Sequence, residues 1–178
     1  MNVVIPRSEY WDAEREEFIY TKGQVIKIEH SLLSISKWES KWKRPFLDPN
    51  HNLTEEEMLS YIQCMTITQN VDKNIYRFIP NSEMRKIVDY IQDSFTAHKM
   101  IEKKGGAKKA IESERLYFWM SAYGIPFSCE KWHLSRLLAL LDIAAEENKP
   151  KKNMPKSDIY RENARINAAR RKALGTKG

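Results

Sequence analysis

Leu134-Ser135-Arg136-Leu137-Leu138-Ala139-Leu140-Leu141-Asp142-Ile143-Ala144-Ala145 is the stretch that decides the class of fold. Leu134, Leu137, Leu138, Leu141 and Ala145 recur at the three- and four-residue spacing that places side chains on one face of an α-helix. Ser128 upstream is the predicted N-cap of this helix. The same spacing recurs three times nearer the N-terminus. Leu116, Trp119, Met120 and Tyr123 form one stripe, ended by Gly124 and Pro126. Met84, Ile87, Val88 and Ile91 form another, opened by Ser82. Met58, Tyr61, Ile62 and Met65 form the third, behind Thr54-Glu55-Glu56-Glu57. That tetrad is a capping box, in which Thr54 takes the Glu57 amide and Glu57 reaches back to the Thr54 amide. Four striped helices joined by loops predict a mainly α protein with a helical, bundle-like core. A shorter helix is expected over Asp72 to Ile79, stopped by Pro80. Another is expected between Ser36, as its cap, and Pro45, with Trp38 and Trp42 on one face. Lys103-Lys104-Gly105-Gly106 reads as a charged loop.

The ends of the chain break the helical pattern. Val3-Val4-Ile5 reads as a strand closed by Pro6. Phe18-Ile19-Tyr20 and Val25-Ile26-Lys27-Ile28 flank Thr21-Lys22-Gly23, which predicts a hairpin between those two runs. The first thirty residues are thus a β ribbon, marginal alone and in need of a surface to pack on. At the other end, Lys149-Pro150-Lys151-Lys152-Asn153-Met154-Pro155 is a linker that cannot continue a helix. A basic helix follows, from Asp158 to Leu174 with Ser157 as cap, and its apolar residues are too sparse for a core stripe. The organisation read from sequence is a mainly helical domain over 1–148, its β ribbon at about 1–30, then linker and basic helix over 149–178.

Charge follows the same division. The chain carries +6 in total, but Lys149 to Gly178 holds ten Lys or Arg against two acids, a net +8, which leaves −2 for residues 1–148. The basic character belongs to the tail. At 42% hydrophobic and 30% charged, the chain is too apolar for disorder throughout. No apolar run approaches a membrane span, so no membrane partner is expected. Met1 to Tyr10 lacks a basic region followed by an apolar run, so no secretory signal is expected. Cys64 and Cys129 sit among apolar helical residues and are expected as packed thiols, as suits a reducing cytoplasm.

No catalytic signature occurs. Gly105-Gly106 lacks the Gly-Lys-Ser/Thr ending of a phosphate loop. His30, His51, His98 and His133 lie far apart, none with a Cys or His at ligand spacing, so no metal and no cofactor is expected. Cys129 and His133, four apart on an expected helix, have the spacing of a nucleophile and base, but a buried thiol beside a packed histidine is the reading preferred. The sequence therefore points away from enzymes and toward macromolecular contact. Two groups of residues are candidates. Trp38 and Trp42, interleaved with Lys41 and Arg44, are either core or a partner-binding edge. Arg161, Arg165, Arg170 and Arg171 on the last helix suit a protein partner's carboxylates, nucleic-acid phosphates, or a solvated tail.

Several strings resemble blocks of small tail-assembly proteins of tailed bacteriophages. They are Glu29-His30-Ser31-Leu32-Leu33-Ser34-Ile35-Ser36-Lys37-Trp38-Glu39-Ser40-Lys41-Trp42 with Lys43-Arg44-Pro45-Phe46-Leu47, then Tyr61-Ile62-Gln63-Cys64-Met65-Thr66-Ile67-Thr68-Gln69-Asn70-Val71, and Ile125-Pro126-Phe127-Ser128-Cys129-Glu130-Lys131-Trp132-His133-Leu134. The ending from Asn167-Ala168-Ala169-Arg170-Arg171 to Thr176-Lys177-Gly178 is similar as well. The family is that of the tail assembly chaperones. The resemblance implies a helical factor of the host cell cytoplasm that binds the tape-measure or tube protein while the tail grows, with a homo-oligomer as a further expectation. The alternatives left open are a virion structural protein of the neck, connector or tube, and an accessory protein that binds nucleic acid through the basic tail.

Overall fold

In the computed structural model the protein is mainly α, with a small antiparallel β ribbon at the N-terminus. The structure describes residues 1–12, 16–99, 109–149 and 156–175. The chain divides into two compact units, Met1–Glu146 and Glu147–Gly178. The expected loop Lys103–Gly106 and most of the expected linker, residues 150–155, lie outside the described residues. Among the described residues no helix is long and apolar enough to cross a membrane.

The ribbon corrects the sequence reading. Four strands, β1 (Asn2–Ile5), β2 (Ser8–Asp12), β3 (Glu17–Thr21) and β4 (Gln24–Lys27), pair as β1 with β4 and β2 with β3. The runs expected to form one hairpin, Phe18–Tyr20 and Val25–Ile28, are therefore on the same side of the ribbon. Register runs unbroken from Asn2↔Lys27 through Ile5↔Gln24 and Ser8↔Thr21 to Asp12↔Glu17. The ladder lapses only where Pro6, which has no amide hydrogen, comes opposite Gly23. A Cβ on Gly23 would stand 3.0 Å from the Arg7 amide nitrogen and 3.2 Å from the Ile5 carbonyl. Gly23 is thus a site of close strand approach, not a turn residue. The register buries Val3, Ile5 and Ile26 on the inner face, toward α3 and the core.

Among the described residues six α-helices follow: α1 (Leu32–Trp42), α2 (Glu55–Met65), α3 (Asn81–Gln92), α4 (Ser113–Ala122), α5 (Leu134–Glu147) and α6 (Lys156–Leu174). The Thr54 capping box of α2 forms as expected, and a 3-10 helix over Lys73–Phe78, capped by Asp72, occupies the expected segment before Pro80. Three expected starts are shifted. Helix α1 begins at Ser31, five residues before Ser36, because Ser31 and Ser34 exchange side-chain-to-backbone hydrogen bonds in a reciprocal cap. Ser128 lies inside a 3-10 helix over Phe127–Lys131, and α5 starts only at Leu134. There the Leu134 amide donates to the His30 carbonyl at 3.0 Å and an isolated bridge joins Ser31 to His133. Helix α3 opens at Asn81, directly after Pro80, one residue before the expected Ser82.

Helix α1 is the centre of the first unit: it packs against α2, α4 and the second 3-10 helix. Leu32, Ile35 and Trp38 of α1, Tyr61, Ile62 and Met65 of α2, and Leu116 and Met120 of α4 are buried together. Cys129 is buried and Cys64 half-buried, and both thiols are unpaired. On α5, Leu137 is fully buried, whereas Leu138 only packs against the margin of the core. Leu137→Ala is therefore expected to cost about 3–4 kcal/mol and Leu138→Ala about half that, because the first leaves a closed cavity and the second does not. Urea unfolding of the two full-length variants checks the ranking; equal losses would place both side chains at the same depth.

Among the described residues several buried polar groups are answered, while Arg44 Nε is buried without a hydrogen-bond partner. The Glu39 carboxylate on α1 accepts from the Phe46 amide at 2.7 Å and from the Ser113 amide at 2.8 Å, which ties α1 to the loop after it and to the start of α4. Ser34 gives its hydroxyl hydrogen to the Ser31 carbonyl at 2.7 Å. The Tyr61 hydroxyl is hydrogen-bonded both to Ser34 Oγ at 3.2 Å and to His30 Nδ1 at 2.5 Å. Burial first, and His133 second, lowers the His30 pKa from 6.5 to about 3, so the ring is neutral. Burial likewise pushes the Tyr61 hydroxyl up.

Candidate contact surfaces

Of the first candidate group Trp38 is buried, Trp42 and Arg44 are half-buried and Lys41 is exposed. Trp38 is 0% exposed. Its indole Nε1 donates to the Glu57 carbonyl at 3.1 Å, and its ring stacks on Trp42 and meets the edge of Phe46. A partner cannot reach it in the folded protein, so Trp38 leaves the contact list. Trp42 is half-buried, with Nε1 donating to Ser60 Oγ at 3.0 Å, and Lys41 Nζ donates to the same oxygen at 2.9 Å. The Arg44 guanidinium pairs with the Glu57 carboxylate and with His51 Nε2, and lies over both indoles. Glu57 is buried and would be left without its counter-charge if Arg44 were taken by a partner. These residues lock α1 to α2. Sequence placed Trp38 and Trp42 on one helix face, and α2 packs against that face; Arg44 lies beyond the end of α1.

Cys129 and His133 do not share a helix. Cys129 sits in the second 3-10 helix, while both ring nitrogens of His133 are engaged: Nε2–H donates to the Tyr90 carbonyl at 3.0 Å and Nδ1 lies 2.8 Å from Ser135 Oγ. Among the described residues no three His, Cys, Asp or Glu side chains gather as a metal site.

The second candidate group is where sequence expected it. Arg161, Arg165, Arg170 and Arg171 are all exposed along α6. Arg165 reaches Glu162 at 3.2 Å, one turn back. Asp158 in the first turn and Arg171 and Lys172 in the last suit the helix dipole. Gly175, at φ +64°, ends the helix in the left-handed conformation. Among the described residues of this unit no side chain is buried, and Tyr160, Ile166 and Leu174 stand in solvent. The helix has no core of its own.

A further surface was missed. Alternation in the first pair of strands buries Val3, Ile5 and Ile26 and leaves Val4 and Val25 exposed, and in the second pair Trp11, Phe18 and Tyr20 are exposed although they share the parity of Val3. Trp11 is 54% exposed, Phe18 56% and Tyr20 72%. Trp11 and Phe18 are directly opposed and meet edge to face, 5.1 Å between ring centres. Tyr10, of the opposite parity to Trp11, leans on Phe78. A cleft of about 800 Å³ beside the interruption is lined by Arg7, Ser8, Glu9, Tyr20, Thr21 and Lys22. The signal was present in the sequence as apolar residues at both parities of the ribbon; with the strands mispaired, it could not be assigned to an outer face. Compared with family models, curated proteins and solved structures, the chain matches none of them.

Proposed function

We propose that this protein is a tail assembly chaperone-like factor of a tailed bacteriophage, which binds the tape-measure or tube protein in the host cytoplasm during tail morphogenesis. The sequence blocks described above support the family. A helical, bundle-like core centred on α1 is the scaffold this reading assigns to the chain, and no catalytic step is assigned to it. The observation that carries the contact role is α6: a helix of nineteen residues, basic along its length, in which none of the described side chains is buried. An isolated helix of this size is marginal in water, so its order is secured by a partner. Its guanidinium groups offer charge-assisted contacts to carboxylates, and its exposed Tyr160 and Leu174 offer apolar anchors.

Replacing Arg161, Arg165, Arg170 and Arg171 by Glu tests this. Each exposed pair contributes about 0.2–1 kcal/mol, so four reversals are expected to weaken capture of the tape-measure or tube protein by about tenfold or more. The melting temperature of the first unit should stay nearly unchanged. Co-purification from infected cells with mass spectrometry is the measurement. Undiminished capture would sink the role of α6. Loss of DNA binding alone would replace the reading with the nucleic-acid one. Stoichiometric presence of the protein in purified virions would replace it with the structural one.

A further inference from the structure

The ribbon changes the face it buries at Pro6 and Gly23. In the first pair of strands Val3, Ile5 and Ile26 are inward. In the second pair the better-buried side chains are Ser8, Tyr10, Ile19 and Thr21, and the opposite parity is left bare. On that bare face Glu9 stands opposite Tyr20 and Trp11 opposite Phe18, and the same count sets Arg7 opposite Lys22. All six side chains are exposed. We propose that this face binds single-stranded nucleic acid, with bases stacked on Trp11, Phe18 and Tyr20 and phosphates held by Arg7 and Lys22.

The composition of the face selects this occupant. It carries three aromatic rings and no aliphatic side chain, so it lacks the apolar groove in which an amphipathic partner helix docks. Exposed rings are instead stacking platforms for unpaired bases, and the edge-to-face contact of Trp11 with Phe18 leaves ring faces open. Charge agrees. Arg7 and Lys22 stand against Glu9 alone on this face, and neither cation's side chain is paired among the described residues. Arg7, Lys22, Glu9 and Tyr20 line the cleft beside the interruption, so the cations and the first ring share one cavity. Glu9, opposite Tyr20, is placed to accept from the exocyclic amine of a stacked base. Glu16 and Glu17 lie past Trp11 at the tip, where a phosphate would be repelled, so the footprint ends at Trp11. Arg7 to Trp11 spans about 13 Å at the rise of a strand, room for a short run of bases.

The face belongs to the first unit and uses no residue of α6. It is therefore independent of the tail-protein capture assigned to that helix, and of any attraction its arginines have for phosphate. A duplex hides the faces of its bases within the stack, so a single strand is the form this face distinguishes.

Fluorescence anisotropy of a short labelled oligothymidylate, titrated with the full-length chain at low salt, tests the proposal. Trp11→Ala with Phe18→Ala should weaken binding by about tenfold or more, the loss of two stacking rings. Arg7→Gln with Lys22→Gln should weaken it too, and should lower the slope of log affinity against log salt by about 1.4, the worth of two phosphates on a single strand. All four side chains are exposed, so melting temperatures should stay near the wild-type value. The titrations are repeated in a chain whose Arg161, Arg165, Arg170 and Arg171 are replaced by Glu, and both losses should persist there. A duplex of the same length should bind more weakly than the single strand. Binding unchanged by both ribbon variants places the oligonucleotide on α6 and overturns the proposal. So does the absence of single-strand binding at low salt. An aromatic variant that keeps the oligonucleotide but loses a captured protein gives the face to a protein partner, and overturns it as well.

Discussion

Trp38→Ala is expected to remove about 3–5 kcal/mol from the stability of the first unit, the range for truncating a fully buried tryptophan. The indole touches Trp42 and Phe46, and its Nε1 holds the Glu57 carbonyl on α2. Truncation leaves a cavity between α1 and α2 and a buried carbonyl without its donor, two penalties that add. Domain stabilities are about 5–15 kcal/mol, so the variant would be visibly less folded at body temperature. Trp42→Ala, one turn away, should lose roughly half as much, because the ring is already partly in water and Ser60 still has Lys41 as a donor. Denaturant unfolding of the two full-length variants separates them. A Trp38 variant that lost less than about 1 kcal/mol would mean that the α1–α2 seam repacks around the hole.

Acidification is the second large effect. His30 is 3% exposed and neutral, with its pKa lowered from 6.5 to about 3 by burial and by His133. The unfolded chain takes up a proton near pH 6.5, which the folded chain refuses until about pH 3. Unfolding is thus favoured as pH falls through that interval, and the stabilising contribution is complete only above pH 6.5. At 1.36 kcal/mol per pKa unit, this one ring costs about 2 kcal/mol by pH 5 and about 4–5 kcal/mol by pH 3. His133, also lowered by burial, acts in the same direction. The ring has no easy response, because Tyr61, Ser34 and Tyr90 around it offer hydroxyls but no carboxylate. Urea unfolding between pH 7.5 and 5, where most carboxylates remain ionised, is the measurement, with the His30 ring followed by NMR. A flat stability profile over that range, or a His30 ring that titrates near 6.5, would show that the site admits water and a proton.

Both effects depend on contacts that no local pattern displays, and this marks how far the sequence alone could reach. Thr54 and Glu57 cap α2 through bonds three residues apart, and the stripe Met58, Tyr61, Ile62, Met65 needs only the pitch of a helix. Such features are written in neighbouring residues, so they were legible. So were Pro80 as a stop, the mainly helical class, and α6 as an exposed basic helix whose apolar residues are too few to bury. The start of α1 was misplaced because Ser34 stands where a capping box ordinarily has Glu or Gln. The ribbon was mispaired because strand partners such as Asn2 and Lys27 are far apart in sequence, and a proline opposite a glycine imitates a turn. Only the assembled protein decided that Trp38 is core, since the same face of α1 would be an open surface without α2. Only assembly could bring Glu39 to the Ser113 amide, 74 residues away, or His30 to Tyr61 and His133. And only the tertiary structure left Trp11, Phe18 and Tyr20 in water while Val3, Ile5 and Ile26 entered the core: helix periodicity is a property of the local chain, whereas which residues of a ribbon stay bare depends on what the ribbon has been packed against.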